Sequence, residues 1–281
     1  MPLDVMRHGH INHFTRDYGT TLAVLRDGFG GRAFSEWETP AAGSYNALVS
    51  LGPACVELCA PRDSALAVGQ WLARRPAGWH SLEWTVPDLD DAARELKTAG
   101  IRITERTDDY LFTHPKDLHG LALELTWHRF AGDPREEGSW DLTRGIGGPI
   151  SFRGTPEFLV TSADPARSAA SVARLVGPET DIRSHPEIGA VGHLVRFPDH
   201  VVEFVGPDAG SAESEAGRRL SAHGSGLWAM VLPVSDLDAV TVTLRERGVL
   251  RTKIRTPDAL RLAAEANDGA VIAFRSATTY H

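Results

Sequence analysis

Cysteine is nearly missing from this chain: Cys55 and Cys59 are the two in 281 residues. They fall on one extended stretch, where four residues of strand separate Cα atoms by roughly 13 Å, beyond the ~7 Å limit for a disulfide. Reduced thiols are therefore expected, packed as small residues on the strand face that also carries Glu57. Positive charge is also short, with 29 Lys and Arg against 37 Asp and Glu for a net charge of −8. No stripe concentrates the basic residues, which argues against a nucleic acid or an anionic membrane as partner. No apolar run approaches the ~20 residues that span a bilayer, and the start, MPLDVMRHGH, lacks the apolar core of a signal peptide. A cytoplasmic location is expected, with a small-molecule substrate as the partner; the chain is compatible with a homodimer.

What the chain has in quantity is repetition. A short strand, an acidic helix start, about a dozen helical residues and a Gly recur in HINHFTRDYGTTLAVLRDGFGG from His10, SLEWTVPDLDDAARELKTAG from Ser81, EFLVTSADPARSAASVARLVG from Glu157 and AMVLPVSDLDAVTVTLRERG from Ala229. Asp17, Asp88, Asp164 and Asp236 are spaced by 71, 76 and 72 residues, and Gly28, Gly100, Gly177 and Gly248 follow them by 11 to 13. Such a period marks an architecture. Each Asp is the expected N-cap, with Pro165 at a position where a missing N–H is harmless, and each Gly is the expected left-handed stop. After each helix come 25 to 30 mixed residues and a last strand: ACVELCAP around Glu57, GLALELTW around Glu124, HVVEFVGP around Glu203 and GAVIAFRS around Ala273. The unit reads βαβββ, so the fold class is α+β. The polar, Gly- and Pro-rich segment 131–149 divides the chain into domains at 1–130 and 150–281. Residues 206–225 read as a flexible surface segment.

The repeat, its HxNxFxRD start and its x-E-L last strand resemble the vicinal oxygen chelate superfamily of glyoxalase I, methylmalonyl-CoA epimerase and extradiol dioxygenases. The resemblance covers nearly the whole chain. Its most specific stretch is THPKDLHGLALEL, Thr113 to Leu125, similar to the ending of epimerase-type members. It implies four modules paired into two half-open barrels, with one divalent metal held by first and last strands.

Strand parity identifies the inward side chains. Val56 and Leu58 face the helices, turning Glu57 inward; Leu121, Leu123 and Leu125 do the same for Glu124. Buried carboxylates call for a cation. The resemblance implies His10, seven residues before Asp17, as the first ligand, whereas His13 has helix-facing parity. Seven residues before Asp88 stands Ser81, and the imidazole, His80, comes one residue early. Either a bulge brings His80 inward or Ser81 or a water takes its place. With His80 the set is His10, Glu57, His80 and Glu124, suited to Ni, Co, Zn, Mn or Fe(II).

By resemblance this site would polarise a carbonyl while Glu57 or Glu124 moves the neighbouring proton, as in a glyoxalase- or epimerase-like isomerase or lyase. A ring-cleaving Fe(II) dioxygenase would instead use His10, His80 and Glu124. A metal-free, drug-sequestering protein is a third reading; Trp71, Trp79, Trp84 and Trp127 would then line its pocket, or else simply cover core surface. In the second half the equivalent positions are Glu157, Ala229, Glu203 and Ala273, a depleted set in which an Arg such as Arg196 would pair the two carboxylates. His185, His193 and His200 are too irregularly spaced to mark a site.

Overall fold

The computed structural model describes residues 2–136, 150–177, 180–208 and 211–277. The first module is β1 (Arg7–Phe14), α1 (Tyr18–Ala23), β2 (Arg32–Thr39), β3 (Ser44–Leu51) and β4 (Ala54–Pro61). A connecting helix, α2 (Ala67–Arg74), leads to β5 (Gly78–Thr85), α3 (Leu89–Thr98), β6 (Ile103–Arg106), β7 (Tyr110–Thr113) and β8 (Leu123–Thr126). The third module is β9 (Glu157–Thr161), α4 (Pro165–Val176), β10 (Thr180–His185), β11 (Ala190–Arg196) and β12 (Val201–Pro207). Another connecting helix, α5 (Glu215–His223), precedes β13 (Gly226–Val234), α6 (Leu237–Glu246), β14 (Thr252–Arg255), β15 (Ala259–Leu262) and β16 (Val271–Ser276). Two eight-stranded sheets result, ordered β2-β3-β4-β1-β5-β8-β7-β6 and β10-β11-β12-β9-β13-β16-β15-β14. The four βαβββ modules of an α+β half-barrel fold are thus present.

The helix starts follow from local chemistry. Asp17, Asp88, Asp164 and Asp236 each accept backbone amides two or three residues ahead, from Thr20, Asp91, Arg167, and from both Asp238 and Ala239. Gly100, Gly177 and Gly248 adopt the left-handed conformation at the helix ends. Gly28 does not. Helix α1 runs into a π turn over Val24–Gly28, and that wider turn moves the left-handed residue to Gly30, at φ 76°.

By backbone proximity the described residues form two compact units, one from 1–9, 81–128 and 157–228, the other from 10–80, 129–156 and 229–281. In the first, Trp84 lies 5.0 Å from Phe197 and His8 lies 4.6 Å from Phe158, ring to ring. In the second, His13 Nε2 is 3.1 Å from the Asp268 carbonyl, and the Asp268 carboxylate accepts from Thr15 Oγ1 at 2.7 Å and the Arg16 amide at 2.6 Å. His13 has the helix-facing parity expected of it, and burial holds its pKa down at about 4.

The segment 206–225, expected to be flexible, instead carries α5, capped by Ser214, with Ala216 and Gly217 buried. Of the expected linker 131–149, residues 137–149 lie outside the described residues. Residues 131–136 are ordered around a buried ion pair, Asp133 with Arg135, 2.8 Å apart. Among the described residues no helix is long and apolar enough to cross a membrane.

Candidate metal centre

In the second unit, β1 and β4 pair in parallel with Asn12 opposite Glu57 and Phe14 opposite Cys59. Val56 and Leu58 are fully buried on the other face, which turns Glu57 toward His10. His10 is 1% exposed, and its Nε2 lies 2.8 Å from Glu57 Oε2. The Cys59 thiol, 3.5 Å away, donates to Glu57 Oε1. Both cysteines are free thiols. Phe130 stands edge-on to the His10 imidazole, their centroids 5.9 Å apart, and Trp37 stacks on Phe130.

His80 goes elsewhere. Its ring lies flat on Phe14, 4.1 Å away at an interplanar angle of 3°, with Trp71 packed edge-on at 5.6 Å. Phe14 is four residues from His10 along β1, roughly 13 Å of strand. The imidazole expected as a second ligand is therefore part of an aromatic stack. Burial, helped by the Arg75 charge, lowers its pKa to about 4 and keeps it neutral. Ser81, the other candidate for that position, is fully buried.

In the first unit, β5 and β8 pair in parallel with Glu83 opposite Glu124 and the flanking pairs Leu82–Leu123 and Trp84–Leu125. Those four apolar residues are fully buried, so both carboxylates project from the other face. Glu83 is 2% exposed and Glu124 half-buried. Gly9 makes room for Glu83, since a Cβ there would stand 1.9 Å from Oε1. Two carboxylates side by side repel, and in a buried position they attract a cation between them. Sequence reasoning missed Glu83. The apolar residues flanking it, Leu82 and Trp84, signal an inward carboxylate by the same parity that identifies Glu57.

The tryptophans divide. Trp84 and Trp79 are core residues, Trp79 donating to the Val271 carbonyl at 3.0 Å. Trp127 is 50% exposed, so these three do not line a common apolar pocket.

In the third module the carboxylates are matched by the chain itself. The partner is Arg183, not Arg196, which pairs with Asp181. Arg183 Nη1 reaches Glu157 Oε2 at 2.8 Å and Glu203 Oε2 at 3.1 Å, and His185 Nε2 sits 2.6 Å from Glu203 Oε1. Arg183 and His185 alternate on β10, so one face of that strand presents both cations. Burial pulls the His185 pKa down, but hydrogen bonds to Glu187 and Glu203 and their charges outweigh it and raise it to about 9. A pKa raised above the unfolded value of about 6.5 stabilises fully below that pH, and the contribution is lost as pH rises through 9. The protein is thus expected to lose on the order of 2 kcal/mol between pH 6.5 and 9.5, and His185→Gln to lose much less. Urea midpoints at both pH values measure this; parallel losses in parent and variant would refute it.

Comparison with known proteins bears on the fold and on the first half. Residues 9–119 match the profile of the Glyoxalase/Bleomycin resistance/Dioxygenase superfamily. Among solved structures, a mutant of 4-hydroxymandelate synthase from Streptomyces coelicolor superposes on 98% of this chain and 92% of its own, with a TM-score of 0.71 at 14% identity. Methylmalonyl-CoA epimerase from Mycobacterium tuberculosis matches 43% of this chain and 87% of its own, with 27% identity and a TM-score of 0.40. No curated protein matches the sequence.

Proposed function

We propose, from the match of residues 9–119 to the profile of the Glyoxalase/Bleomycin resistance/Dioxygenase superfamily, that the chain is a metal-dependent enzyme that moves a proton next to a carbonyl of a small oxygenated substrate. The observation that carries this reading is the side-by-side carboxylate pair Glu83–Glu124. Glu83 and Glu124, side by side in the first unit, would hold one divalent ion; in the second unit His10 and Glu57, 2.8 Å apart, offer an imidazole and a further carboxylate. One imidazole with carboxylates and no thiolate suits Mn, Co, Zn, Ni or Fe(II).

When bound, the cation would polarise the substrate carbonyl and acidify the neighbouring C–H. The remaining tasks fall to the chain. Glu83, nearly inaccessible, serves as a ligand, whereas half-buried Glu124 is open to substrate and takes the proton as general base. The Cys59 thiol donates to Glu57 Oε1 and helps to orient that carboxylate.

Dioxygenase chemistry fits the donor set less well. A two-His, one-carboxylate iron site would need His80, which is stacked on Phe14. A protein that only sequesters an apolar ligand has no use for this many inward carboxylates.

The test is isotopic. Under anaerobic conditions, protein loaded with Zn, Co, Ni or Mn is expected to introduce solvent deuterium into the carbon next to the carbonyl of a 2-oxo acid or acyl thioester. Strict dependence on Fe(II) and O₂, with oxygen entering the product, would overturn this reading in favour of the dioxygenase.

A further inference from the structure

The groove between α3 and the edge strand β6 has no part in the proposed chemistry, yet it gathers positive charge that the sequence interleaves with acids. Its volume is about 680 Å³, within the range of small-molecule sites. Ala93 and Ile101, both buried, and half-buried Ile103 supply its apolar surface. Around them stand Arg94, Lys97, Arg102 and Arg106, with Asp90 as the acid of the lining. Arg94 and Lys97 are three residues apart on one side of α3, roughly 4.5 Å along its axis.

Strand parity sorts the charges of β6. Glu105 is opposite Phe112 and Phe112 opposite Glu124, so Glu105 shares the face of Glu124, and there it accepts from the Tyr110 hydroxyl at 2.9 Å. Arg106, opposite buried Leu111, is on the helix side. The groove and Glu124 thus lie on opposite faces of the sheet. Three of the cations have carboxylate neighbours: Arg94 pairs with Asp91, Arg106 with Asp90 and Arg102 with Asp117. The first two pairs stand in solvent, where an ion pair adds little stability and the arginine is free to turn to a stronger acceptor. Arg102 is fixed: its Nε and Nη2 bind Asp117 at 2.8 and 2.7 Å, and these hydrogen bonds hold that carboxyl well below the usual carboxylate range.

We propose that this groove binds a nucleoside diphosphate, with its two phosphates among Arg94, Lys97 and Arg106 and its base over Ala93, Ile101 and Ile103. Three adjustable cations match two phosphates better than one carboxylate, because phosphate oxygens accept charge-assisted bonds from Lys and bidentate ones from Arg. The apolar surface between the cations suits a flat ring better than a further charged group. The exchange of partners costs little, since the exposed Asp90 and Asp91 return to water. This site neither uses nor requires the metal reading above.

The probes are ADP and inorganic pyrophosphate, titrated calorimetrically into chelator-treated protein in a low-salt, phosphate-free buffer, so that no cation at Glu83 and Glu124 takes part. One equivalent of ADP is expected to bind, about 10-fold more tightly than pyrophosphate because its base covers apolar surface. Lys97→Glu, an exposed helix position, should weaken both ligands about 10-fold. Asp90→Asn removes the acid that competes for Arg106 and should tighten both about 3-fold, a gain that damage to the fold would not produce. Ile103→Thr keeps the branched side chain that β6 favours, and should weaken ADP about 3-fold while sparing pyrophosphate. ADP binding that is absent, or that Lys97→Glu leaves unchanged, would overturn the proposal. Pyrophosphate bound as tightly as ADP, with Ile103→Thr silent, would overturn it too, reducing the groove to a site for inorganic anions.

Discussion

Glu83→Gln is expected to weaken divalent-metal binding by at least the 10- to 100-fold that follows loss of a supporting group in metal sites, whereas His80→Ala should leave it within about 2-fold. The substitution at Glu83 preserves shape, and the side chain keeps its place against Gly9, so the loss is chemical. An amide carries no charge, and its oxygen is a weaker ligand than a carboxylate. For His80 the opposite holds: its ring is engaged with Phe14 and Trp71, and removing it deletes packing without deleting a donor. Competition against a chromophoric chelator measures both, with circular dichroism to confirm folding. Tight binding retained in Glu83→Gln together with a large loss in His80→Ala would restore the His10, Glu57, His80, Glu124 set and, with it, the case for a two-imidazole iron site.

The contrast between these residues shows what sequence can and cannot deliver. The four Asp caps are legible because a cap needs only a carboxylate and amides two or three residues ahead. Glu57 and Glu124 are legible because their strand neighbours are apolar on alternate positions, and Leu82-Glu83-Trp84 obeys the same rule. The repeat alone does not mark Glu83, because its ligand register, seven residues before Asp88, falls at Ser81. At His80 the difficulty is real: the fate of the imidazole depends on Phe14, a tertiary partner from another strand. Gly28 fails for a subtler reason, since a single π turn shifts the helix end without any change of residue type. In 206–225 the polar composition concealed a capped helix whose buried face consists of small residues, Ala216 and Gly217, too weak a signal for hydropathy to register.

Arg183→Met is expected to destabilise the protein by about 3 to 5 kcal/mol, the usual consequence of leaving a buried charge without its partner. Glu157 and Glu203 hold the positions that His10 and Glu57 hold in the first module, and both side chains are almost completely inaccessible, with Arg183 bridging them. Of these two carboxylates His185 meets Glu203, its other ring nitrogen lying 3.3 Å from Glu187, so removing Arg183 takes from Glu157 the guanidinium that bridges it to Glu203. The charge balance predicts a rescue: adding Glu157→Gln and Glu203→Gln to Arg183→Met removes the stranded carboxylates and should recover most of the loss, because replacing a buried ionic group as a whole is far less damaging than breaking it. Urea unfolding of the single and triple variants measures both quantities. A loss below about 1 kcal/mol in Arg183→Met would mean that the cluster is solvated enough to dispense with its cation. A large loss with rescue would mean that the third module carries, in Arg183 and His185, a built-in positive charge where the first half is proposed to take a metal. In that case a chelator should leave this cluster's contribution to stability unchanged.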